Sequence, residues 1–284
     1  MDDRIRILPL VLLITSGCDK VTDPYDGPGS GGGDTSSVVQ RRVLLEDFTG
    51  FRCNNCPAAT QVALQLQQVY GEDRLMVVGV HGMPFFSNPI PPAGDGYFDT
   101  DFQTPEANAY VTTFGITFLP TGMVSRREYN SSLTLGEASW GSAVDEIIGT
   151  PADVDLLFSS FELDGTNTIH TTVQVPVIHD VSGDYNLTVY LTEDHVDDWQ
   201  IDNQQTPSEV EHYDHRHVLR DNLNGAWGDP IISGSAAAGD TLTADLSRAL
   251  AAGVIDPDNC ALIAYLYNTA TYEIIQVSEH KFLP

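Results

Sequence analysis

Lysine is almost missing from this sequence: Lys20 and Lys281 are the only two in 284 residues. Lysine and arginine together number 13 against 40 aspartates and glutamates, a formal net charge of -27. A surface of that sign repels phosphates, which argues against a general nucleic-acid binder. It equally disfavours electrostatic docking on anionic lipid. Cysteine is sparse too, with four in the chain. No second Cys-x-x-Cys accompanies Cys53 and Cys56, so a closed four-ligand zinc site lacks half its donors. Past the N-terminus no run reaches the roughly 20 apolar residues that a membrane-spanning helix needs. There is no glycine-rich phosphate loop, no nucleophilic-serine elbow and no internal repeat. What remains is the profile of a soluble extracytoplasmic protein, long enough for about two domains at roughly 100 to 200 residues each.

The N-terminus, MDDRIRILPLVLLITSGCDK, places Arg4 and Arg6 ahead of an apolar run from Ile7 to Ile14. Thr15, Ser16 and Gly17 follow, then Cys18. This is the basic, apolar and small-residue order of a secretory signal. A cysteine directly after the small residues resembles the bacterial lipoprotein box, which implies a signal over 1–17 and a lipid on Cys18. Residues 18–38 are rich in Gly, Ser, Pro and Asp and read as a flexible tether. A cell-envelope lipoprotein held through its lipid anchor is the expected setting.

From residue 39 the pattern is strand (41–48), helix (54–70) and strand (75–80), a βαβ unit. Ala58, Val62, Leu66 and Val69 form the expected helical core stripe. Pro57 suits the first turn. Residues 81–102 read as a Pro-, Gly- and aromatic-rich inserted loop. A helix over 104–115 is capped by Thr104 and stopped by Gly115, a strand at 116–124 contains Pro120, and a last helix spans 136–149. Beyond residue 152 short β-rich runs alternate with turn residues, as in YNLTVYLTE at 185–193, and about seven such strands predict an immunoglobulin-like sandwich over 153–284.

The stretch EDFTGFRCNNCPAAT (46–60) carries the chemistry. Cys53 and Cys56 lie between a strand and a helix, where unpaired N–H groups and the helix dipole favour a thiolate. Arg52 adds positive charge. Three uses are open: a metal clip, a permanent disulfide of the kind oxidising compartments allow, and a redox pair in which Cys53 attacks and Cys56 resolves.

Strand, CxxC, helix, strand, helix and strand with proline resembles the thioredoxin fold. That resemblance implies an α/β thioredoxin-like domain over 39–152. It implies a proton-accepting acid six residues before the first cysteine, here Asp47, and a substrate-shaping proline, here Pro120. Arg52 and Asn54–Asn55 stand where thioredoxin has Trp and Gly-Pro, so no potential transfers. Taken with FLPTGMVSR, LTVYLTED and EHYDHRHVLRDNLNGAWGDPI, the chain resembles the Omp-twenty-eight-related outer-membrane lipoproteins of Bacteroidetes. Those pair a thioredoxin-like domain with a C-terminal β domain behind a lipoprotein signal, and the resemblance implies an outer-membrane lipoprotein facing the periplasm or the cell surface. The expected function is a thiol–disulfide oxidoreductase acting on thiols or disulfides of envelope proteins. Its alternative is a non-enzymatic binding or adhesin lipoprotein with an unknown surface partner. No cofactor beyond a redox-active Cys53–Cys56 disulfide is implied.

Two other clusters stand out. His212, His215 and His217 fall within six residues, and on a strand His215 and His217 would share a face with Tyr213. They are metal candidates without fixed ligand geometry, more simply a hydrogen-bonded strand surface. TEDHVDDWQID (192–202) lacks the spacing of a calcium loop and reads as an acidic solvated loop. Cys260 reads as a small core residue.

Overall fold

A computed structural model describes residues 38–91 and 94–283. The expected signal peptide, Cys18 and all but the last residue of the tether lie outside the described residues. The first part of the chain forms β1 (Val43–Phe48), α1 (Cys56–Tyr70), β2 (Leu75–Val80), α2 (Pro84–Ser87), α3 (Pro105–Thr113), β3 (Thr121–Val124) and α4 (Trp140–Asp145). Strands then follow one another: β4 (Leu157–Leu163), β5 (Thr168–Pro176), β6 (Val181–Ser182), β7 (Tyr185–Glu193), β8 (Val196–Ile201), β9 (Glu209–His215) and β10 (Val218–Asn222). The last are β11 (Asp229–Ile232), β12 (Ser235–Ala236), β13 (Thr241–Ala249), β14 (Cys260–Asn268) and β15 (Ile274–Lys281).

β1 and β2 are buried at every residue. Burial at every residue belongs to strands covered on both faces, and β2 shows it as an unbroken apolar run. They pair in parallel with Val43 opposite Leu75, joined by α1, while β3 runs antiparallel to β1 with Thr121 opposite Phe48. The local expectations hold at α3, where the Thr104 hydroxyl accepts from Ala107 N at 3.0 Å and Gly115 takes φ 64°. The expected stripe of α1 is displaced. Ala59, Ala63 and Gln67 are buried, whereas Val69 is 75% exposed. Small alanines let the helix lie close on the sheet, and Gln67 tolerates burial because its amide donates to Leu75 O at 3.3 Å.

An α/β thioredoxin-like domain followed by a separate immunoglobulin-like sandwich does not form. Strand residues far outnumber helical ones, and one eight-stranded mixed sheet takes strands from both halves of the chain. Its order is β15-β14-β7-β10-β2-β1-β3, with β11 also pairing β7. The join is β10 parallel to β2, Val218 opposite Gly79, where Gly79 N donates to His217 O at 2.8 Å. The physical reason is the open edge of β2. An exposed apolar edge strand is a liability, and β10 covers it. The cores merge as well: Phe48, Val78, Val80 and Tyr110 pack with Tyr190, Leu219, Ile263 and Tyr265 in one cluster. On the other face of β7 and β14, a three-stranded sheet of order β13-β5-β4 closes a second core through Val173, Val175, Leu187, Val189 and Leu262. Residues 38–284 thus make one compact unit.

Where the merged core meets β1, it holds a buried ion pair. Arg126 donates through Nε and Nη2 to both Glu46 oxygens at 2.9 and 2.8 Å, and both side chains have no exposure. The Tyr190 hydroxyl donates to the same carboxylate at 2.8 Å. Glu46 and its neighbour Asp47 point to opposite faces of β1, as the two-residue period of a strand requires.

Candidate functional site: the disulfide loop and its surroundings

β1 runs out at Phe48 into a tight loop, and α1 begins at Cys56. Cys53 N donates to Gly50 O at 2.9 Å and Cys56 N to Cys53 O at 3.3 Å, two successive turns. These turns hold the two Cα atoms 5.4 Å apart, within disulfide reach, and Cys53 and Cys56 are bonded. Cys53 is 3% exposed and Cys56 1%. Gly50 is required sterically: a Cβ there would lie 2.7 Å from the Cβ and carbonyl oxygen of Phe86. Arg52 turns outward, donating to Pro84 O at 3.1 Å with its guanidinium over the Phe85 ring. Phe85 is 74% exposed.

Asp47 is buried beneath this loop. Its Oδ2 accepts from the Thr60 hydroxyl at 3.0 Å, and its Oδ1 has no partner. Thr60 lies four residues after Cys56, one helical turn along the same face of α1, and its hydroxyl ties Asp47 to that face. Burial pushes the Asp47 carboxyl up to about 7, against the lowering effect of Thr60, with Glu137 adding a smaller upward push. Asp47, Thr60, His81, Gln200, Tyr213 and His215 line a cavity of about 20 Å³, space for about one water. Burial holds His81 down at about 3 and His215 at about 4, so both imidazoles are neutral near pH 7. Pro120 follows a cis Leu119–Pro120 peptide. It directly precedes Thr121, which pairs with Phe48 at the end of β1.

The remaining sequence candidates scatter. His212 is exposed and pairs with Asp197 at 3.0 Å. His215 is buried, its Nε2 3.3 Å from Trp199 O and its ring 4.8 Å from Phe102. His217 lies beyond the end of β9, its Nδ1 3.1 Å from Asp194 and its Nε2 3.2 Å from Gln67 Oε1. Each histidine keeps its own partner, and among the described residues no three metal-binding side chains converge. Cys260 is buried, and burial raises its thiol to about 12.

The structure adds a contributor that the sequence reading missed. The stretch taken for an acidic solvated loop contains β8, with Val196, Asp198 and Gln200 buried. Asp198 is tolerated because it accepts from Thr100 N at 2.7 Å and Trp199 N at 2.6 Å. The every-second-residue burial of Val196, Asp198 and Gln200 is a strand signal, hidden because two of the three are polar. Gln200 Nε2 donates to Cys53 O at 3.1 Å, so residues almost 150 positions apart share one site.

The profile of the outer membrane protein Omp28 family matches residues 107–283. No curated protein matches the chain. Among solved structures, HBP35 of Porphyromonas gingivalis aligns over 85% of this chain and 75% of its own, with a TM-score of 0.61 at 16% identity. That is a likeness of fold alone. A domain of the outer membrane lipoprotein Omp28 from Porphyromonas gingivalis aligns over 47% of this chain and 90% of its own at 20% identity, with a TM-score of 0.30. The family profile covers well over half of the chain, and the chain belongs to the Omp28 family of outer-membrane proteins.

Proposed function

We propose that this outer-membrane protein is a lipoprotein, anchored through Cys18, whose Cys53–Cys56 pair exchanges electrons with thiols or disulfides of envelope proteins. The observation that carries the reading is Asp47: a buried carboxyl pushed up to about 7, one oxygen unpaired, the other bonded to Thr60 one turn beyond Cys56 on α1. A group so placed suits proton transfer at neutral pH. In the reduced protein, the Cys53 thiolate attacks a partner disulfide, forming a mixed disulfide and releasing one partner thiolate. Cys56 gives its proton to Asp47 and attacks the Cys53 sulfur. The Cys53–Cys56 bond forms, the mixed disulfide breaks, and the partner leaves reduced by two electrons. The reverse sequence oxidises a partner dithiol. Pro120, beside the end of β1, would border the partner's path.

Burial of both cysteines favours a second reading, a permanent brace in a binding or adhesin lipoprotein. Equilibration of the full chain with glutathione buffers separates the two. A potential between about -270 and -120 mV supports exchange, and a value below about -300 mV leaves the brace.

A further inference from the structure

β8 and β9 leave the main sheet as a single excursion. β7 ends at Glu193, β10 begins at Val218, and those two residues pair. The hairpin between them therefore stands on a two-point stem. His195 and His217 hold left-handed φ values of 58° and 54° at the two sides of that stem, a conformation that costs non-glycine residues energy. Asp194 ties the sides together, its Oδ1 accepting from His217 N at 2.5 Å. Within the hairpin, Val196 pairs with His215 and Ile201 with Glu209. It forms its own two-stranded sheet, apart from the strands it emerges from.

The far end of the hairpin lies along the disulfide loop. Ile201 N donates to Phe51 O at 2.8 Å and Asn203 N to Asn54 O at 3.0 Å. Between those two backbone bonds the Gln200 amide donates to Cys53 O, and the Asn203 and Asn55 side chains are bonded. Donors from residues 201 and 203, met by carbonyls of a neighbouring segment, imitate the way an added peptide strand pairs with a receptor backbone. Ile201 and Trp199 pack around Phe51, beside Phe98 and Phe102. The hairpin thus occupies the backbone acceptors flanking both cysteines, and both cysteines are buried.

We propose that the β8–β9 hairpin is a displaceable strap, and that an extended polypeptide segment of a redox partner takes its place on the carbonyls of Phe51, Cys53 and Asn54. The strap itself needs only the geometry; the identity of its replacement rests on the exchange reading above. A thiol reaches the sulfurs only when the strap is lifted about its stem.

The test is the rate at which dithiothreitol reduces Cys53–Cys56 in the full chain, compared with Gln200→Ala, Asn203→Ala and the double variant. Dithiothreitol ends as its cyclic disulfide, and its two protons and two electrons go to the cysteine sulfurs. Hydrogen exchange at the Ile201 and Asn203 amides, followed in the oxidised proteins, reports how far the strap has loosened. Loss of the buried Gln200 hydrogen bond shifts an opening equilibrium about tenfold, so Gln200→Ala and the double variant should be reduced about tenfold faster, and Asn203→Ala, which loses an exposed contact, about twofold faster. Variants whose two amides exchange faster while the reduction rate stays at the parent value overturn the strap. Asn203→Ala removes only a solvent-facing contact and carries the test if Gln200→Ala does not fold. The glutathione potential stays separate from this rate. A potential below about -300 mV with accelerated reduction removes the exchange reading and keeps the strap. A potential in the exchange range with unchanged rates does the opposite.

Discussion

At pH 8 the Asp47→Asn protein should be more stable than its parent, and at pH 4 the two should be nearly alike. The folded carboxyl sits at about 7 against an ordinary 3.8. When the folded value lies above the unfolded one, the native state binds the extra proton between them. Stability is therefore fully present below about pH 4, falls as pH rises, and has been lost by about pH 8. Three units of difference correspond to about 4 kcal/mol. Asparagine keeps the Thr60 hydrogen bond and carries no charge, so it escapes this loss. The groups facing Asp47 give no rescue at alkaline pH. Glu137 repels the carboxylate, and His81 and His215 across the cavity are held neutral. Urea unfolding followed by circular dichroism, with the disulfide intact and equal slopes confirmed, gives the difference at each pH. A stability difference that is the same at pH 4 and pH 8 would refute the assignment of Asp47 as a buried, proton-holding acid.

Two further outcomes follow from the merged core. Arg126→Met leaves Glu46 and the Tyr190 hydroxyl without their cation. It should cost about 3–5 kcal/mol in urea unfolding, most of which Glu46→Leu in the same chain should restore. Residues 39–152 expressed alone lose β10 from the edge of β2, together with Tyr190, Leu219, Ile263 and Tyr265 from the shared core. That fragment should give broad amide resonances and no cooperative thermal transition, whereas 38–284 should give both dispersed resonances and a sharp transition.

Runs that are mostly apolar and almost wholly buried were legible in the sequence. VLLEDF, LMVVGV and ALIAYLYN all became strands of the main sheet, because burial on both faces selects a string that is apolar on both faces. Thr104 and Gly115 were legible because caps are local. The sheet order was not. The two halves meet at one register pair between β10 and β2, and nothing local in VLRDN or LMVVGV names the other as partner. The resemblance to thioredoxin fitted the β1–α1–β2 sequence of elements but said nothing about what covers the edge of β2. Glu46 was invisible for a different reason. A carboxylate inside a buried strand makes sense only with Arg126, 80 residues away, aimed at it. β8 was misread because Asp197 and Asp198 suggest solvent, while the buried Asp198 is satisfied by the backbone N–H groups of its neighbour Trp199 and of the distant Thr100.

The position of His217 joins these observations. It stands at the stem of the hairpin, yet its carbonyl accepts from Gly79 in β2 and its ring meets Gln67 of α1. Gln67 and Cys56 lie on one helix, and Gly79 is the register partner of Asp47 where β2 pairs with β1. The pivot of the strap is therefore the same point at which the C-terminal strands join β2. A separate thioredoxin-like domain could open its disulfide without consulting the rest of the chain. Here the hairpin that covers Cys53 can move only about a residue that also holds the sheet together. A partner that lifts it must work against the Asp194–His217 tie, an ion pair only when that histidine is protonated. Access to the disulfide is thus linked through one residue to the integrity of the mixed sheet, and the C-terminal half of the chain becomes part of the site.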